Sequence, residues 1–466
     1  MVPDRTTTVV RMLKRLVRRD GQKPSMLRVR LWSFLPLAFC LFLLGCAASP
    51  PHTDPADYRL RAETQTDGNV RVSAVVLSPE ESEHSFALPL ARRGIQPVWI
   101  EVDNRADKMF AVMLLSIDRD YFAPSEVAWK FRAQQESSQG ELLDLFLERQ
   151  LPVLVPPRST VSGYVYTNLD PGAKAFTVDL IAEQDLRSFE FAQLVPGFKA
   201  DFMRVDFDQL YSPDEVRDLN LAGLRDYLEK LPCCVTGGDR ETPGDPLNLV
   251  IVGEGRHILA TLIRRGWDLT ETMRQDTMWR TVASSLFGWY YRTSPVSPLY
   301  LFGRPQDAAL QKARSTVNER NHLRLWRAPV TLDGQNVWVG QITRDIGVKF
   351  SSKTFVTHKI DPVVDEARLY ITLDMAAAEV LRAYGYVEGV GYSDRTAPRL
   401  NYTRDPYYTD GLRIVLVLGE KRRALEDLVP LQWAQPMGPG RRPERASSPE
   451  YDSTQEDPPG VAERAE

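Results

Sequence analysis

The chain has 466 residues, 43% hydrophobic and 26% charged, with a formal charge of −4. That length suits two or three ordinary domains, and the composition supports packed cores rather than a fibre or low-complexity chain. The acidic balance argues against a nucleic-acid partner, whose phosphates need a basic patch.

The amino terminus reads as a targeting segment. From Met26 it runs "MLRVRLWSFLPLAFCLFLLGCAASPP". Arg28 and Arg30 form a basic n-region, Leu31 to Leu44 is an apolar run of fourteen residues, and "LLGC" ends on Cys46. This is the layout of a bacterial lipoprotein signal over residues 1–45, cut before a lipid-modified Cys46. A retained membrane helix is the alternative, but the run is short of the roughly 20 residues a span requires. Residues 1–25 are either a long basic n-region or sequence upstream of a true start at Met26. Cleavage removes nine Lys/Arg and two Asp/Glu and moves the balance from −4 to −11. Acyl chains on Cys46 would hold the mature chain to a membrane. Ala47 stands where proteobacterial lipoproteins retained in the inner membrane carry aspartate, which points to the periplasmic face of the outer membrane.

Residues 46–57 then read as a Pro-rich tether, and 58–207 as β. "NVRVSAVVLS" alternates as a half-buried strand does. "GIQPVWIEVDNRA" is an apolar run closing on a turn cluster. "STVSGYVYTNLDPGAKAFTVDLIAE" is two strands joined by Asp-Pro-Gly, and "RSFEFAQLVP" offers another. "SSQGELLDLFLERQ" predicts a helix with Leu142, Leu143, Leu145 and Phe146 on a broad stripe. His84 falls in a polar stretch read as a solvated loop. Strands spaced by turns predict an N-terminal all-β immunoglobulin-like sandwich, a spacer or adhesion-type module.

Residues 208–244 read as a linker. "YSPDEVRDLNLAGLRDYLEKLP" predicts one helix, with Ser212 as N-cap, Pro213 at the first position and Glu215 completing a capping box. A Gly/Pro loop follows, carrying Cys233 and Cys234 side by side. In an oxidising compartment these two can close a vicinal disulfide; two small buried thiols are the equal alternative. Their spacing is not CxxC, which argues against thioredoxin-like chemistry and zinc.

Over 245–431 strands and helices mix. "PLNLVIVG", "SPLYLFG", "HLRLWRAPV", "NVWVGQITRDIGVKF" and "LRIVLVLGE" read as strands. "EGRHILATLIRRGW", "TMWRTVASSLFGWYY" and a stretch from Pro362 through about Ala383 read as helices. This predicts an α+β (mixed sheet) domain, so the chain is multidomain. "VIVGEG" follows a strand as a nucleotide-binding turn would. Ile258 occupies the place of the third glycine, so the stretch reads as a structural βα turn. Residues 432–466 are rich in Pro, Ser and charge and read as disordered.

The chemistry-bearing residues cluster in this second domain. At strand period His322, Arg324 and Trp326 share one face of "HLRLWRA". Asp333-Gly334 is a strong hairpin signal, and it brings Asp345, in "TRDIG", toward the end of the pair that holds His322. Further on, "THKIDPVVDEARLYI" spends one of only five histidines beside two aspartates and an arginine. Two readings stand side by side. In one, Asp361 caps a helix that starts at Pro362, Asp365 and Arg368 pair along it, and His358 lies in the approach loop. In the other, His358, Asp361 and Asp365 bind a divalent metal that activates water, while His322 and Arg324 hold a phosphate or carboxylate.

From "DPLNLVIVG" through "PVSPLYLFGR", "RNHLRLWRAPV", "VWVGQITRDIGVKF" and "THKIDPVVDEAR", about Asp245 to Gly391, the chain resembles the LssY C-terminal domain family. The family has no established activity. In larger members the domain follows membrane-embedded phosphatase-like modules, which implies work near lipid or lipid-phosphate. Its polar motif positions match His322, Arg324, Asp345, His358, Asp361, Asp365 and Arg368. In this chain a lipid anchor and a β domain replace those membrane modules.

The expectation is a lipid-anchored periplasmic lipoprotein whose second domain is hydrolase-like or phosphoryl-binding, acting on an envelope lipid or glycan. His322, His358, Asp345 and Asp365 are its candidate catalytic residues, and Arg324 and Arg368 its anion holders. The alternative is an envelope binding or assembly lipoprotein with no turnover, holding a lipid, glycan or protein partner.

Overall fold

The structure, a computed structural model, describes residues 55–133, 139–272, 292–313, 319–351, 355–419 and 422–436. At 55–57, Gln139, 348–351 and 355–358 it describes the backbone alone. The signal segment, most of the tether, the tail from 437 and the expected helix at "TMWRTVASSLFGWYY" lie outside the described residues.

The first half is two four-stranded sheets packed face to face. Strands β1 (Glu63–Asp67), β2 (Val70–Val76), β3 (Ile95–Asn104) and β6 (Ser159–Asn168) form one, in the order β1-β2-β3-β6. Strands β4 (Phe110–Met113), β5 (Leu154–Val155), β7 (Ala173–Ala182) and β8 (Asp185–Leu194) form the other, in the order β5-β4-β7-β8. Alternation sends Val70, Val72, Ala74 and Val76 inward, against Phe176, Val178 and Phe191. Phe176 and Phe191 are register partners and stack at 5.3 Å.

Strand β3 is apolar on both faces because its outer side is also covered. Helices α1 (Pro79–Phe86), α3 (Pro124–Phe131) and α4 (Gln139–Arg149) pack Phe86, Phe131 and Phe146 against Trp99, Tyr164 and Tyr166; a short α2 (Leu114–Ile117) follows β4. His84 is therefore helical rather than in a loop. Ser78 and Glu81 form a reciprocal capping box that starts α1, with Pro79 in its first turn.

The edge of β8 is closed by side chains. Gln65 accepts from the Glu190 N–H and donates to the Glu190 carbonyl. Gln193 does the same for β2, donating to Ala74 O at 2.8 Å and accepting from Val76 N at 2.9 Å.

The expected linker helix is shorter and later. Ser212 and Glu215 do form a capping box, but it holds a single 3-10 turn, Pro213–Glu215. Arg217–Leu219 (β9) then pairs parallel to Val330–Leu332. Only at Asn220, which accepts from Gly223 N at 2.9 Å, does helix α5 (Leu221–Glu229) start. Strand pairing takes residues that local propensity would have left helical.

The second half is a ten-stranded mixed sheet with small satellites. The satellites include β10 (Cys234–Thr236), β11 (Pro243–Pro246), β14 (Tyr300–Leu301) and β15 (Arg304–Pro305), paired β11-β10-β14-β15. In the main sheet β12 (Leu249–Val252), β13 (Asp268–Leu269), β16 (Ala308–Ala313), β17 (Arg320–Leu332) and β18 (Gln335–Ser351) come first along the chain. Then come β19 (Phe355–Ile360), β20 (Leu381–Glu388), the separate pair β21 (Arg399–Leu400) and β22 (Pro406–Tyr407), β23 (Leu412–Leu418) and β24 (Val429–Pro430). The spatial order is β13-β16-β17-β18-β12-β23-β20-β24, with β19 on β18 and β9 on β17. Asp333 and Gly334, both at positive φ (50° and 79°), make the two-residue turn of β17–β18.

Each face of this sheet has its own core. Leu323, Leu325 and Ile342 point toward helices α6 (Gly255–Arg264) and α7 (Val364–Ala376). Trp326, Ala328, Val330 and Val339 point the other way, toward Leu224 and Leu228 of α5. Each Leu, Ile or Val among them, fully buried, contributes roughly 1.5–3 kcal/mol, so the hairpin is pinned from both sides. Helix α7 ends at Ala376 rather than near Ala383, because the chain re-enters the sheet at Leu381. Helix α6 also packs on β7 and β8, which joins the two halves. Among the described residues no helix is long and apolar enough to cross a membrane.

Candidate functional site

Strand period builds the site. On β17 the residues Arg320, His322 and Arg324 share the face of Trp326. On β18 Gln341, Thr343 and Asp345 share the face of Val339. His322 lies opposite Thr343 and Arg324 opposite Gln341. Asp345 is one diagonal step from His322, close enough for side chains to meet.

They do meet. His322 Nε2 is 2.6 Å from Asp345 Oδ2 and 2.9 Å from Arg320 Nε. An Nε2–H donates to the carboxylate; in the other tautomer Nε2 accepts from Arg320. Arg320 Nη1 donates to Ser294 Oγ at 2.7 Å and Gln311 Oε1 at 2.5 Å. Arg324 donates to Gln341 Oε1 at 3.0 Å and to Ser297 O at 3.3 Å, and its Nε has no partner among the described residues. None of Arg320, His322, Arg324 and Asp345 is more than 8% exposed.

Burial sets the electrostatics. It pushes the His322 pKa well below the usual histidine range, helped by the positive charges of Arg320 and Arg324. Both guanidinium pKa values are also lowered, first by burial. Asp245 is raised by burial, against the opposing pull of a 2.8 Å bond from Asn401 and the charge of Arg324. Two cations thus share a nearly dry site with a neutral imidazole and one carboxylate bonded to it. Beside them, at the strand ends, a cavity of about 170 Å³ is walled by Lys312, Arg320, Arg344 and Asp345.

Asp365 and Arg368 belong to a different network. Arg368 forms a two-pronged pair with Asp410, 2.7 Å on each prong, and donates to Leu412 O at 2.6 Å. Asp365 is 3.4 Å from Arg368 and accepts from Thr409 Oγ1 at 2.7 Å and Asp410 N at 2.8 Å. Helix α7 carries both residues and lies on the Leu323 side of the sheet, opposite His322. Asp361 accepts from Val363 N at 3.0 Å, so it makes a local turn ahead of α7, whose N-cap is Val363. Its other oxygen is 4.0 Å from Arg344, at the cavity wall. The His358 backbone lies in β19 opposite Val348, in strand rather than loop; its side chain lies outside the described ones. Among the described residues no three His, Cys, Asp or Glu side chains group as metal ligands.

Cys233 and Cys234 are joined as a vicinal disulfide. Gly253 and Gly255, of "VIVGEG", turn β12 into α6 and pack close to Leu418 and Trp338. A larger cleft of about 820 Å³ between α6 and β8 is lined by Phe202, Phe207, Leu259 and Trp338, and shares no residue with the His322 cluster.

Arg320 is not among the residues that the sequence analysis singles out. It sits two residues before His322, on the same strand parity as Arg324, and that spacing was the available signal.

The family model described as LssY C-terminus matches residues 225–412, from within α5 through the β17–β18 hairpin to the first residue of β23. The match places an LssY C-terminal domain in the chain, and all of the His322 cluster falls within it. No curated protein matches the chain.

Proposed function

We propose that the LssY C-terminal domain is a phosphoryl-binding unit with hydrolase-like chemistry, acting on an envelope lipid or glycan and carried on a lipoprotein anchored through Cys46 at the periplasmic face of the outer membrane. The observation that carries it is the pair Arg320 and Arg324 flanking a neutral His322. Two neighbouring guanidiniums suit an oxyanion, which would compete with Asp245, Asp345 and Asp201, the acids whose charges act on Arg324. The Arg324 Nε–H is one donor left for it. His322, neutral at physiological pH, has the form a general base needs to take a proton from water, with Asp345 orienting the ring and stabilising the charged form. The two guanidiniums then stabilise charge that develops on the phosphoryl oxygens.

Titration of the full chain with a phosphomonoester, with released phosphate measured alongside, tests this. Arg324→Gln should weaken binding at least tenfold, and His322→Asn should remove turnover while binding persists. Unchanged binding in Arg324→Gln sinks the site. Metal analysis of the purified chain, with His358→Ala and Asp365→Ala, decides whether those side chains hold a divalent ion. Acyl labelling lost in Cys46→Ser, with cell fractionation, tests the anchor.

The near-complete burial of Arg320, His322 and Asp345 favours a second reading. In it the cluster is a polar core and the protein is a non-enzymatic envelope binding or assembly lipoprotein. Binding without phosphate release supports that reading.

A further inference from the structure

We infer that the Cys233–Cys234 bond is a redox switch on the anion site, an inference that rests on the phosphoryl-binding reading above. The disulfide stands on the stretch that leads into the site. Cys233 is partly exposed, within reach of a small thiol, while Cys234 is buried at the start of β10. Upstream, Arg413 donates to Leu231 O at 3.2 Å and Pro232 O at 2.6 Å, which holds the approach in place. Downstream, Cys234 lies opposite Pro246 in β11, and Leu247 N donates to Cys233 O at 2.9 Å. Cys234 Sγ is also 3.4 Å from Tyr407 Oη.

Asp245 is the next residue before Pro246. It takes the bond from Asn401 and is one of the buried acids whose charge acts on Arg324. From sulfur to Arg324 the path is therefore one strand pairing, one residue along β11, and one charge interaction. Reduction by a dithiol breaks the S–S bond, leaves one hydrogen on each sulfur, and converts the reductant to its own disulfide. The two cysteine side chains then take independent rotamers. The backbone at 233–234 is freed, and the Cys234–Pro246 pairing shifts with it; β11 packs on β18, so Asp245 moves relative to Arg324 and the field at the donor that should meet the anion changes.

Calorimetric titration of inorganic phosphate into the full chain tests this, before and after treatment with dithiothreitol. Free thiols at 233 and 234 are mapped by alkylation, and folding is followed by circular dichroism. Reduction should weaken phosphate binding about 5-fold or more, the lower end of ordinary coupling between sites. The double variant Cys233→Ser/Cys234→Ser should bind like the reduced chain and ignore the reductant. Equal affinity in both redox states overturns the switch and leaves the anion site standing. Phosphate that binds neither state of a folded chain overturns both.

Discussion

His322 and Asp345 stand a diagonal step apart on the β17–β18 ladder, with 2.6 Å between Nε2 and Oδ2 in a site nearly closed to water. Asp345→Asn removes the carboxylate and leaves Arg320 and Arg324 facing each other without it. Breaking a buried charge pair from one side costs on the order of 3–5 kcal/mol. Urea unfolding should show a loss of about 3 kcal/mol. A change under about 0.5 kcal/mol would mean that the carboxylate is hydrated and the pair contributes little.

The same burial keeps the imidazole uncharged. Its folded pKa lies well below the usual value, so the ring should show no protonation step between about pH 6 and 8. Nitrogen-detected NMR of the His322 ring checks this directly. A step near the ordinary histidine value would place the ring in water and remove it as a neutral base.

Arg413 has no carboxylate bonded to it among the described residues. Its guanidinium instead donates to six carbonyls, those of Leu228, Leu231, Pro232, Leu247, Glu388 and Gly389. Burial brings its pKa down to about 10, so it is still charged at neutral pH. Arg413→Met should cost roughly 3–5 kcal/mol, because the carbonyls lose their donors in a dry place. Arg413→Lys should recover little of this, since a point charge cannot reproduce the planar fork. Thermal and urea unfolding of both variants settle it; full rescue by lysine would show that charge alone suffices.

Asp268 predicts a pH dependence. Burial raises its pKa to about 6, outweighing Arg292, and Asp170 adds to the rise. An acid with a folded pKa above its unfolded value contributes stability at low pH, lost as the pH rises through the folded value. The window runs from about pH 4 to 6, and the term amounts to about 2–3 kcal/mol at most. The wild-type minus Asp268→Asn stability difference should fall across that window and be flat above it. A flat difference from pH 4 to 8 would show that the Arg292 pair, 2.7 Å long, holds the carboxylate ionised throughout.

Arg368 and Asp410 tie the first turns of α7 to the loop entering β23. Arg368→Ala should destabilise the chain by about 3 kcal/mol and leave phosphate affinity near wild type, since the tie lies across the sheet from His322. Affinity that falls as far as in Arg324→Gln would join the two networks into one site.

The nearness of His322 to Asp345 was legible because two local signals agreed: alternation along each strand and an Asp-Gly turn that fixes register. The side of the sheet taken by Asp365 and Arg368 was not. A helix carries no register, so only the packing of Ala367 and Ile371 against Leu323 decides which face it covers. The Ser212 capping box shows a related limit. The box does form, but a cap states where a helix can begin and not how far it runs. Val216 to Leu219 left the helix because a distant strand, Val330–Leu332, offered partners. In α1 the reverse held: Ser-Pro-Glu-Glu before His84 was a sufficient helix start and outweighed the polarity that suggested a loop.

The two glutamines at the seam of the sandwich bear on how crowded copies would behave. An outermost strand with idle N–H and C=O groups is a template on which a neighbour's strand can grow. Gln65 occupies one such pair of groups on β8, the outer strand, and Gln193 does so on β2 where its pairing with β1 ends, each using a side-chain amide as a substitute for a missing strand. A second copy would first have to evict them, so densely packed molecules on a surface are protected from zipping together along this border.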